Sequence, residues 1–127
     1  MEPKFYKCNQ CGNIAFMIQD SGVTPVCCGK PMTELVSGTV DASEEKHVPK
    51  YTVHANIICV QVGSQEHPMT EDHYIQWIFL RTRLGGQIRY LVPGEIPKVC
   101  FFIKNGDTVE GVYAFCNIHG LWKKTND

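Results

Sequence analysis

Tyr74-Ile-Gln-Trp-Ile-Phe-Leu-Arg-Thr-Arg83 is the stretch that decides the fold, because its apolar and β-branched residues predict a strand. Leu84-Gly85-Gly86 follows as a tight turn, and residues 87–92 form the returning strand, with polar side chains on one face. Residues 51–62, 98–104 and 108–116 have the same character and are separated by glycine, proline and asparagine turns. Strands spaced in this way predict an antiparallel sandwich or barrel of about ninety residues.

The first 36 residues differ from this pattern because they are rich in cysteine and poor in apolar residues. A segment this small rarely buries enough surface to fold alone, and a metal is the usual staple when thiols are reduced. Residues 37–46 are small and polar, and they predict a linker or an entry loop. We therefore expect a metal-bound domain at residues 1–36 and a β-domain at residues 37–127.

Composition and charge limit the classes of function. Charged residues make up 20% of the 127 residues and hydrophobic residues 43%, which is typical of a folded soluble protein. The net charge of −1 gives no basic field for nucleic acid or an anionic membrane. The N-terminus lacks the apolar core of a signal peptide, so we expect a cytoplasmic location. Seven cysteines, an odd number, favour reduced thiols or metal ligands over a disulfide framework.

Four cysteines in the first segment have the spacing of a metal site. Cys8-x-x-Cys11 is a knuckle that can place two thiolates on one metal, and Cys27 and Cys28 follow as an adjacent pair. Four thiolates suit tetrahedral iron or zinc, and the spacing does not separate the two metals. Adjacent cysteines cannot form a second knuckle, so we expect a strained angle between their sulfurs at the metal. The alternatives are a structural zinc knuckle and a vicinal disulfide.

Four histidines lie at predicted loops or strand ends, where a β-scaffold gathers ligands from distant segments: His47, His67, His73 and His119. The spacing Cys116-x-x-His119 lets a thiolate and an imidazole share one metal. Four imidazoles in a plane with a thiolate on the axis would suit an open, redox-active iron better than closed tetrahedral zinc.

The remaining histidine and cysteines have plainer interpretations. His54 lies in the middle of a predicted strand, away from any ligand-like neighbour. Cys59 and Cys100 lie inside apolar runs and are predicted to be buried small hydrophobic residues.

Taken together, these motifs closely resemble desulfoferrodoxin, the two-iron class of superoxide reductase. The resemblance rests on Cys8-x-x-Cys11, Cys27-Cys28, Glu45-Lys46-His47-Val48-Pro49, His67-Pro68-Met69, His73-Tyr-Ile-Gln-Trp-Ile78 and Cys116-Asn-Ile-His-Gly-Leu-Trp122. It implies a desulforedoxin-like N-terminal domain and an immunoglobulin-like, neelaredoxin-like β-sandwich. It also implies two non-haem irons, the first on Cys8, Cys11, Cys27 and Cys28 and the second on His47, His67, His73, Cys116 and His119. The four-cysteine site is also expected to accept zinc in place of iron after purification.

The resemblance also implies an activity, which is the reduction of superoxide to hydrogen peroxide with re-reduction by a rubredoxin-like donor. Glu45 would take the sixth position of the ferric ion, and Lys46 would attract the anionic substrate. Charge pattern alone favours a solvated loop for both residues, but their place beside His47 favours the functional interpretation. Homodimers are the usual state of the family. The first iron is expected to be a structural staple rather than an electron relay.

Three other functions stay open at this point. A non-enzymatic two-iron electron carrier would need a closed second site. A zinc-stabilised interaction module would be colourless, whereas ferric thiolate sites absorb visible light. A superoxide dismutase would also evolve oxygen, and the axial thiolate favours the reductase.

Overall fold

The computed structural model describes residues 2–38 and 42–126 and divides the chain into two compact units, Met1–Val36 and Ser37–Asp127. Both units consist mainly of antiparallel strands, which confirms the prediction of a mainly β chain. No helix in the described part of the chain has the length and apolar character needed to cross a membrane.

The first unit is a small assembly of short strands around few apolar side chains. Its strands are β1 (Phe5–Lys7), β2 (Ile14–Phe16), β3 (Val26–Cys27), β4 (Lys30–Pro31) and β5 (Thr33–Glu34). They form a sheet of order β2-β1-β5 and a separate β3-β4 hairpin. Tyr6, Cys8 and Met32 form the buried cluster. So small a cluster supports the inference that a metal stabilises this unit.

The described residues of the second unit form a sandwich of seven strands, the number found in immunoglobulin constant domains. The elements are α1 (Glu44–His47), β6 (Pro49–His54), β7 (Ile57–Val62), β8 (Ile75–Thr82), β9 (Gly85–Tyr90), β10 (Lys98–Phe102), β11 (Val109–Cys116) and β12 (Gly120–Thr125). One sheet has the order β10-β7-β6 and the other has the order β12-β11-β8-β9.

The core of the sandwich lies between the two sheets. Inward-facing positions alternate along β7, where Ile58, Val60 and Val62 are fully buried, and Phe101 of β10 joins them. The facing sheet contributes a second set of buried residues, which includes Ile78, Leu80, Val112 and Ala114. Each fully buried large side chain stabilises the fold by roughly 1.5–3 kcal/mol.

The loop of the β8–β9 hairpin is shorter than predicted and begins one residue earlier. The predicted turn covered residues 84–86, whereas strand pairing continues to Thr82↔Gly85 and leaves Arg83 and Leu84 as the loop. Gly86 therefore lies in β9, where a built Cβ would collide with the ring of Phe79. This glycine is needed for packing rather than for a turn.

Residues 44–47 form a single helical turn within the predicted linker at 37–46, of which residues 39–41 lie outside the described part. A turn of four residues is too short to produce a helical period in the sequence. The prediction of a loop was therefore wrong for α1.

The prediction that Cys59 and Cys100 are separate buried residues was also wrong. They are half-buried and form a disulfide, with an S–S distance of 2.08 Å, rather than separate buried thiols. They lie directly opposite each other on β7 and β10, on the face of the sheet turned away from the core. The apolar run hid this orientation, because residues on both faces of that part of β7 are apolar or sulfur-containing.

Candidate metal centres

The first two cysteines form a compact knuckle after β1. The amide of Gly12 donates to the carbonyl oxygen of Cys8 at 2.9 Å, and the amide of Cys11 lies 3.4 Å from Cys8 Sγ. Backbone N–H groups of Cys11 and Gln10 lower the pKa of Cys8 to about 6. The knuckle therefore stabilises a thiolate, which is the form that binds metal.

The adjacent cysteines are brought together by a tight hairpin. Cys28 and Gly29 form the two-residue loop between β3 and β4, with φ angles of 53° and 74°. Two left-handed residues are the signature of a type I′ turn. The turn takes Cys28 out of the strand alternation, so that its side chain can lie on the same side as that of Cys27.

The four-cysteine site (Cys8, Cys11, Cys27 and Cys28) has its sulfur atoms within 4.8 Å of one another. Cys11 Sγ and Cys27 Sγ are 3.6 Å apart, close to the edge of about 3.8 Å for a tetrahedron with metal–sulfur bonds of about 2.3 Å. All four are free, which excludes the vicinal disulfide. The neighbouring thiols of Cys11 and Cys8 raise the pKa of Cys28 to about 12, so four thiolates need a cation between them.

A second set of side chains comes from four segments of the sandwich. His47 ends α1, His67 lies in the loop between β7 and β8, His73 lies just before β8, Cys116 ends β11, and His119 lies in the following turn. We call these residues the five-residue site. Potential ligand atoms of the first four lie within 4.8 Å of one another. His119 joins them through its Nδ1, 3.0 Å from His47 Nε2.

The four imidazole rings are arranged as a square. Going round it from His47 through His67, His73 and His119, neighbouring ring centroids are 4.5, 4.6, 5.1 and 4.8 Å apart, and neighbouring planes cross at 77–84°. The opposite pair, His47 and His73, is 6.1 Å apart with planes at 30°. This arrangement agrees with four ligands in one plane.

Nitrogen–nitrogen distances also favour a square over a tetrahedron. His47 Nε2 lies 3.1 Å from His67 Nε2 and 3.0 Å from His119 Nδ1. With metal–nitrogen bonds of about 2.1 Å, neighbouring ligands are about 3.0 Å apart in a square and about 3.4 Å apart in a tetrahedron. The observed distances match the square.

Hydrogen bonding leaves the inward nitrogens available for a metal. His47 Nδ1 donates to the carbonyl oxygen of Ser43 at 2.6 Å, and His67 Nδ1 donates to that of Pro68 at 2.7 Å. Their Nε2 atoms therefore carry lone pairs, and two lone pairs 3.1 Å apart repel unless a cation lies between them. His73 Nε2 is buried without a hydrogen-bond partner. This donor set fits a bound metal ion.

Burial favours the neutral form of three of the imidazoles, those of His47, His67 and His73. Desolvation lowers the pKa of His47 and His73, and it lowers the pKa of His67 to about 4. Neutral imidazole is the form that binds a metal, so the site is preorganised for one at neutral pH.

Cys116 is the buried sulfur donor of this set. A register shift between Phe115↔Trp77 and Cys116↔Ile75 marks a bulge, which re-aims the side chain at the end of β11. The amide of His119 lies 3.4 Å from Cys116 Sγ, as in the first knuckle. Burial raises the pKa of the Cys116 thiol, and the amide groups of His119 and Ile118 oppose that rise.

Other predicted site residues are placed with less direct contact. Lys46 is exposed. Desolvation is the largest cause of the lowered pKa of His73, followed by electrostatic interaction with His119 and then with Lys46, so Lys46 lies within electrostatic range of the site. Glu45 is exposed on α1, and its own backbone N–H lowers the pKa of its carboxyl group. His54 is exposed at the end of β6 and lies outside both sets.

Sequence reasoning missed two positioning groups, the backbone of Gly63 and the side chain of Asn117. Gly63 has φ +84°, and a built Cβ would lie 2.7 Å from the carbonyl oxygen of Lys46. Its amide donates to the carbonyl oxygen of Val48 at 3.1 Å, so it holds the segment that carries His47. Asn117 accepts from the amide of Tyr74 at 2.9 Å and donates to the carbonyl oxygen of Asp72 at 3.0 Å.

Trp122 supports two of the histidines. Its Nε1 donates to the carbonyl oxygen of His119 at 3.1 Å, and its ring lies 5.0 Å from that of His47. Of these three supporting residues, Asn117 and Trp122 belonged to a quoted motif, whereas no spacing signal distinguishes Gly63 from the other glycines.

The fold and these two centres define a class of protein, a β-sandwich with a five-residue metal site and a separate unit with a four-cysteine site. Residues 2–35 match the family model described as Desulfoferrodoxin, N-terminal domain, and residues 39–125 match Desulfoferrodoxin. The chain belongs to the desulfoferrodoxin family. Its two metal centres are the two iron centres of that family.

Individual relatives agree along nearly the whole chain. Desulfoferrodoxin from Syntrophotalea carbinolica is 45% identical, covering 92% of this chain and 91% of the relative. Desulfoferrodoxin from Nitratidesulfovibrio vulgaris is 43% identical over 94% of each. The crystal structure of the superoxide reductase from Treponema pallidum has a TM-score of 0.83 and 37% identity, covering 98% of this chain and all of that one.

Proposed function

We propose that this chain is a superoxide reductase, which reduces superoxide by one electron to hydrogen peroxide at the five-residue site. The observation that carries the proposal is the square of imidazoles with nitrogens 3.0–3.1 Å apart. With the sulfur of Cys116 the site offers five donors, which would leave a six-coordinate ion free to bind one small anion. The superoxide reductase of Treponema pallidum supports the same activity here.

Residues 37–127 form the reductase domain in this proposal. When bound there, ferrous iron supplies the electron that reduces superoxide. His47, His67, His73 and His119 would hold it, and the rings of His47 and His67 are fixed by hydrogen bonds to the carbonyl oxygens of Ser43 and Pro68. Cys116, as a thiolate, would donate electron density to the iron, and the amide of His119, 3.4 Å from the sulfur, would moderate that charge.

Lys46 and Glu45 are proposed as catalytic residues beside the open position. The Lys46 ammonium group attracts the anionic substrate and orients the water that delivers a proton. Glu45 is proposed as a further carboxylate ligand that would bind the iron and so help to displace the product. α1 supports this assignment because it places both residues within two positions of the ligand His47.

Residues 1–36 are proposed to form an iron domain in which the four-cysteine site is a structural staple. The small amount of buried apolar surface supports that role, because Phe5, Tyr6, Cys8 and Met32 provide little apolar burial for a folded unit. A rubredoxin-like donor and a homodimer follow from the family resemblance, and a cytoplasmic location belongs to the same proposal.

Steady-state stoichiometry tests the proposed function. The metal-loaded protein is supplied with a reductase, rubredoxin and a steady source of superoxide, and both peroxide and oxygen are measured. A superoxide reductase gives one peroxide per superoxide consumed and evolves no oxygen. A dismutase gives one peroxide and one oxygen for every two superoxide ions. An electron carrier leaves superoxide to decay at its uncatalysed rate, and either of these results would overturn the proposal.

A further inference from the structure

The outer face of the β10-β7-β6 sheet carries a pair of cysteines that the proposed reaction does not use. The strand register places three rows on this face, which are Lys50–Gln61–Lys98, Thr52–Cys59–Cys100 and His54–Ile57–Phe102. The alternate residues, including Ile58, Val60 and Phe101, point into the core. The disulfide between Cys59 and Cys100 therefore lies on the face turned away from the core.

The surroundings of this disulfide are basic and open. Cys59 lines a surface cavity of about 200 Å³, together with Lys50, Tyr51, Thr52, Gln61 and Lys98. Lys98 lies two residues from Cys100 on the same face, which is about 7 Å along the strand. None of the nine positions on this face carries an acidic side chain. Cations of this kind favour a thiolate and so raise the reactivity of a reduced cysteine.

Backbone pairing keeps the two sulfurs close even when the bond is broken. β7 and β10 pair at five positions, from Lys98↔Gln61 to Phe102↔Ile57. Arg89 of the other sheet donates to the carbonyl oxygen of Cys100 at 3.2 Å. Directly opposite residues have Cβ atoms about 4.5–5.5 Å apart, so the thiols stay within reach of each other.

We propose that Cys59 and Cys100 form a redox site that is oxidised by hydrogen peroxide and reduced by an external dithiol. In the oxidation, the Cys59 thiolate attacks one peroxide oxygen, the O–O bond breaks, and hydroxide leaves with a proton from solvent as water. The Cys100 thiol then attacks the sulfenic acid on Cys59, forming the disulfide and releasing a second water. Two thiols and one peroxide thus give one disulfide and two waters.

Reduction by the external dithiol restores both thiols, and it begins at Cys59, which lines the surface cavity. A thiolate of the external dithiol attacks Cys59 Sγ in the cavity, and Cys100 leaves as a thiolate that takes up a proton. The second thiol of the reductant then displaces Cys59, and the reductant becomes a disulfide. This inference rests on the proposed function only for the source of its oxidant, since peroxide is the product of that reaction.

Thiol mapping tests the site in the metal-loaded full chain. The protein is treated with dithiothreitol, desalted, exposed to one hydrogen peroxide per chain, and alkylated before and after peroxide for peptide mass spectrometry. We expect Cys59 and Cys100 to be alkylated after reduction and to return together to a disulfide after peroxide. A disulfide that resists dithiothreitol in the folded protein, or thiols that survive the peroxide, would overturn the proposal.

Three variants locate the chemistry. In Cys100→Ser, dimedone should trap a sulfenic acid on Cys59 after peroxide, whereas Cys59→Ser should give no adduct on Cys100. Equal adducts in both variants would overturn the assignment of Cys59 as the attacking thiol. Lys50→Gln combined with Lys98→Gln should slow the peroxide-dependent loss of thiols by roughly threefold or more at low salt. An unchanged rate would contradict a site built around these two lysines.

The double variant Cys59→Ser/Cys100→Ser separates this proposal from the proposed function. It serves as the blank for peroxide consumed at the irons, and it should keep the superoxide turnover of the unmodified chain. Because peroxide is added directly, disulfide formation can be observed even if the chain has no activity toward superoxide. Normal superoxide turnover with inert cysteines would overturn this inference alone.

Discussion

At the scale of single residues, Gly63 connects the fold to the five-residue site. Its backbone approaches the carbonyl group of Lys46 too closely for any Cβ, one residue before the ligand His47. Gly63→Ala should therefore shift α1 and weaken metal binding at the five-residue site by roughly tenfold, in addition to about 1 kcal/mol of backbone strain. Metal titration followed by the fluorescence of Trp122, whose ring lies 5.0 Å from His47, would measure the change.

Gly106→Ala is the matched control for Gly63→Ala. Gly106 has φ +87°, similar to that of Gly63, but a built Cβ there meets nothing within 4 Å. Both variants share the cost of the left-handed backbone, and only Gly63→Ala adds the collision. Equal metal affinities in the two variants would show that Gly63 does not position the site.

Lys46 is the residue whose charge should act on the substrate before it binds. Lys46→Ala should lower the second-order rate constant with superoxide by roughly tenfold at low ionic strength, and added salt should reduce the difference. Lys104→Ala is the control. Lys104 is an exposed lysine in the turn that precedes β11, and Cys116 of the five-residue site lies at the opposite end of that strand. An equal rate and salt dependence for Lys46→Ala and the unmodified chain would remove Lys46 from the mechanism.

His67 should make the metal-free protein sensitive to acid. Burial lowers its folded-state pKa from 6.5 to about 4, so the unfolded state takes up the proton first as the pH falls. The free energy of unfolding should therefore be constant above about pH 7 and decrease between pH 6.5 and pH 4. Urea unfolding of the metal-free chain at pH 7.5 and pH 5 would measure this, and His67→Gln should reduce the difference. The same decrease in His67→Gln would contradict the assignment.

At the scale of elements, Asn117 joins the turn after β11 to the segment that enters β8. Its side chain accepts from Tyr74 N and donates to the carbonyl oxygen of Asp72, on both sides of His73. Asn117→Ala should reduce the free energy of unfolding by about 1–3 kcal/mol and weaken metal binding. Asn117→Asp keeps the acceptor and loses only the donor, so its effect should be smaller. Calorimetry and metal titration would rank the variants, and the reverse order would contradict the two-sided role.

Some secondary-structure elements could be predicted from the sequence and others could not. The strand at 74–83 was identified almost to its ends, because its apolar run is long and bounded by turn residues. α1 was missed because its four residues are stabilised by tertiary contacts, including Gln65 N–H to the carbonyl oxygen of Glu45 at 3.0 Å. The disulfide was missed because apolar residues at positions 57–60 mask the alternation that distinguishes the two faces of β7.

The two metal sites could be predicted only in part, because their geometry depends on tertiary contacts. Motifs indicated nine metal-binding residues, and the structure brings them together in two sets. The order of the rings and the nitrogen that each one presents depend on contacts such as His47 Nδ1 to the carbonyl oxygen of Ser43. Gly63 and Asn117 act through backbone atoms of other segments, and sequence spacing carries no information about such contacts.

At the scale of the whole molecule, the four-cysteine site is expected to stabilise one unit only. Cys28→Ser should loosen Met1–Val36, seen as faster amide hydrogen exchange there, and leave the exchange of Ser37–Asp127 nearly unchanged. Superoxide turnover with excess donor should stay within about twofold of normal, because the variant leaves the five-residue site intact. A large loss of turnover in a protein with a loaded five-residue site would instead make the first iron an electron relay.

The most direct test of the central claim is a single turnover without oxygen. The protein with both irons loaded is reduced, pulsed with superoxide, and followed by its visible spectrum together with the yields of peroxide and oxygen. We expect one iron, at the five-residue site, to oxidise rapidly with one peroxide formed per iron and no matching oxygen. A spectrum that superoxide leaves unchanged, with both metals present, would contradict the account and leave an electron carrier or a structural protein.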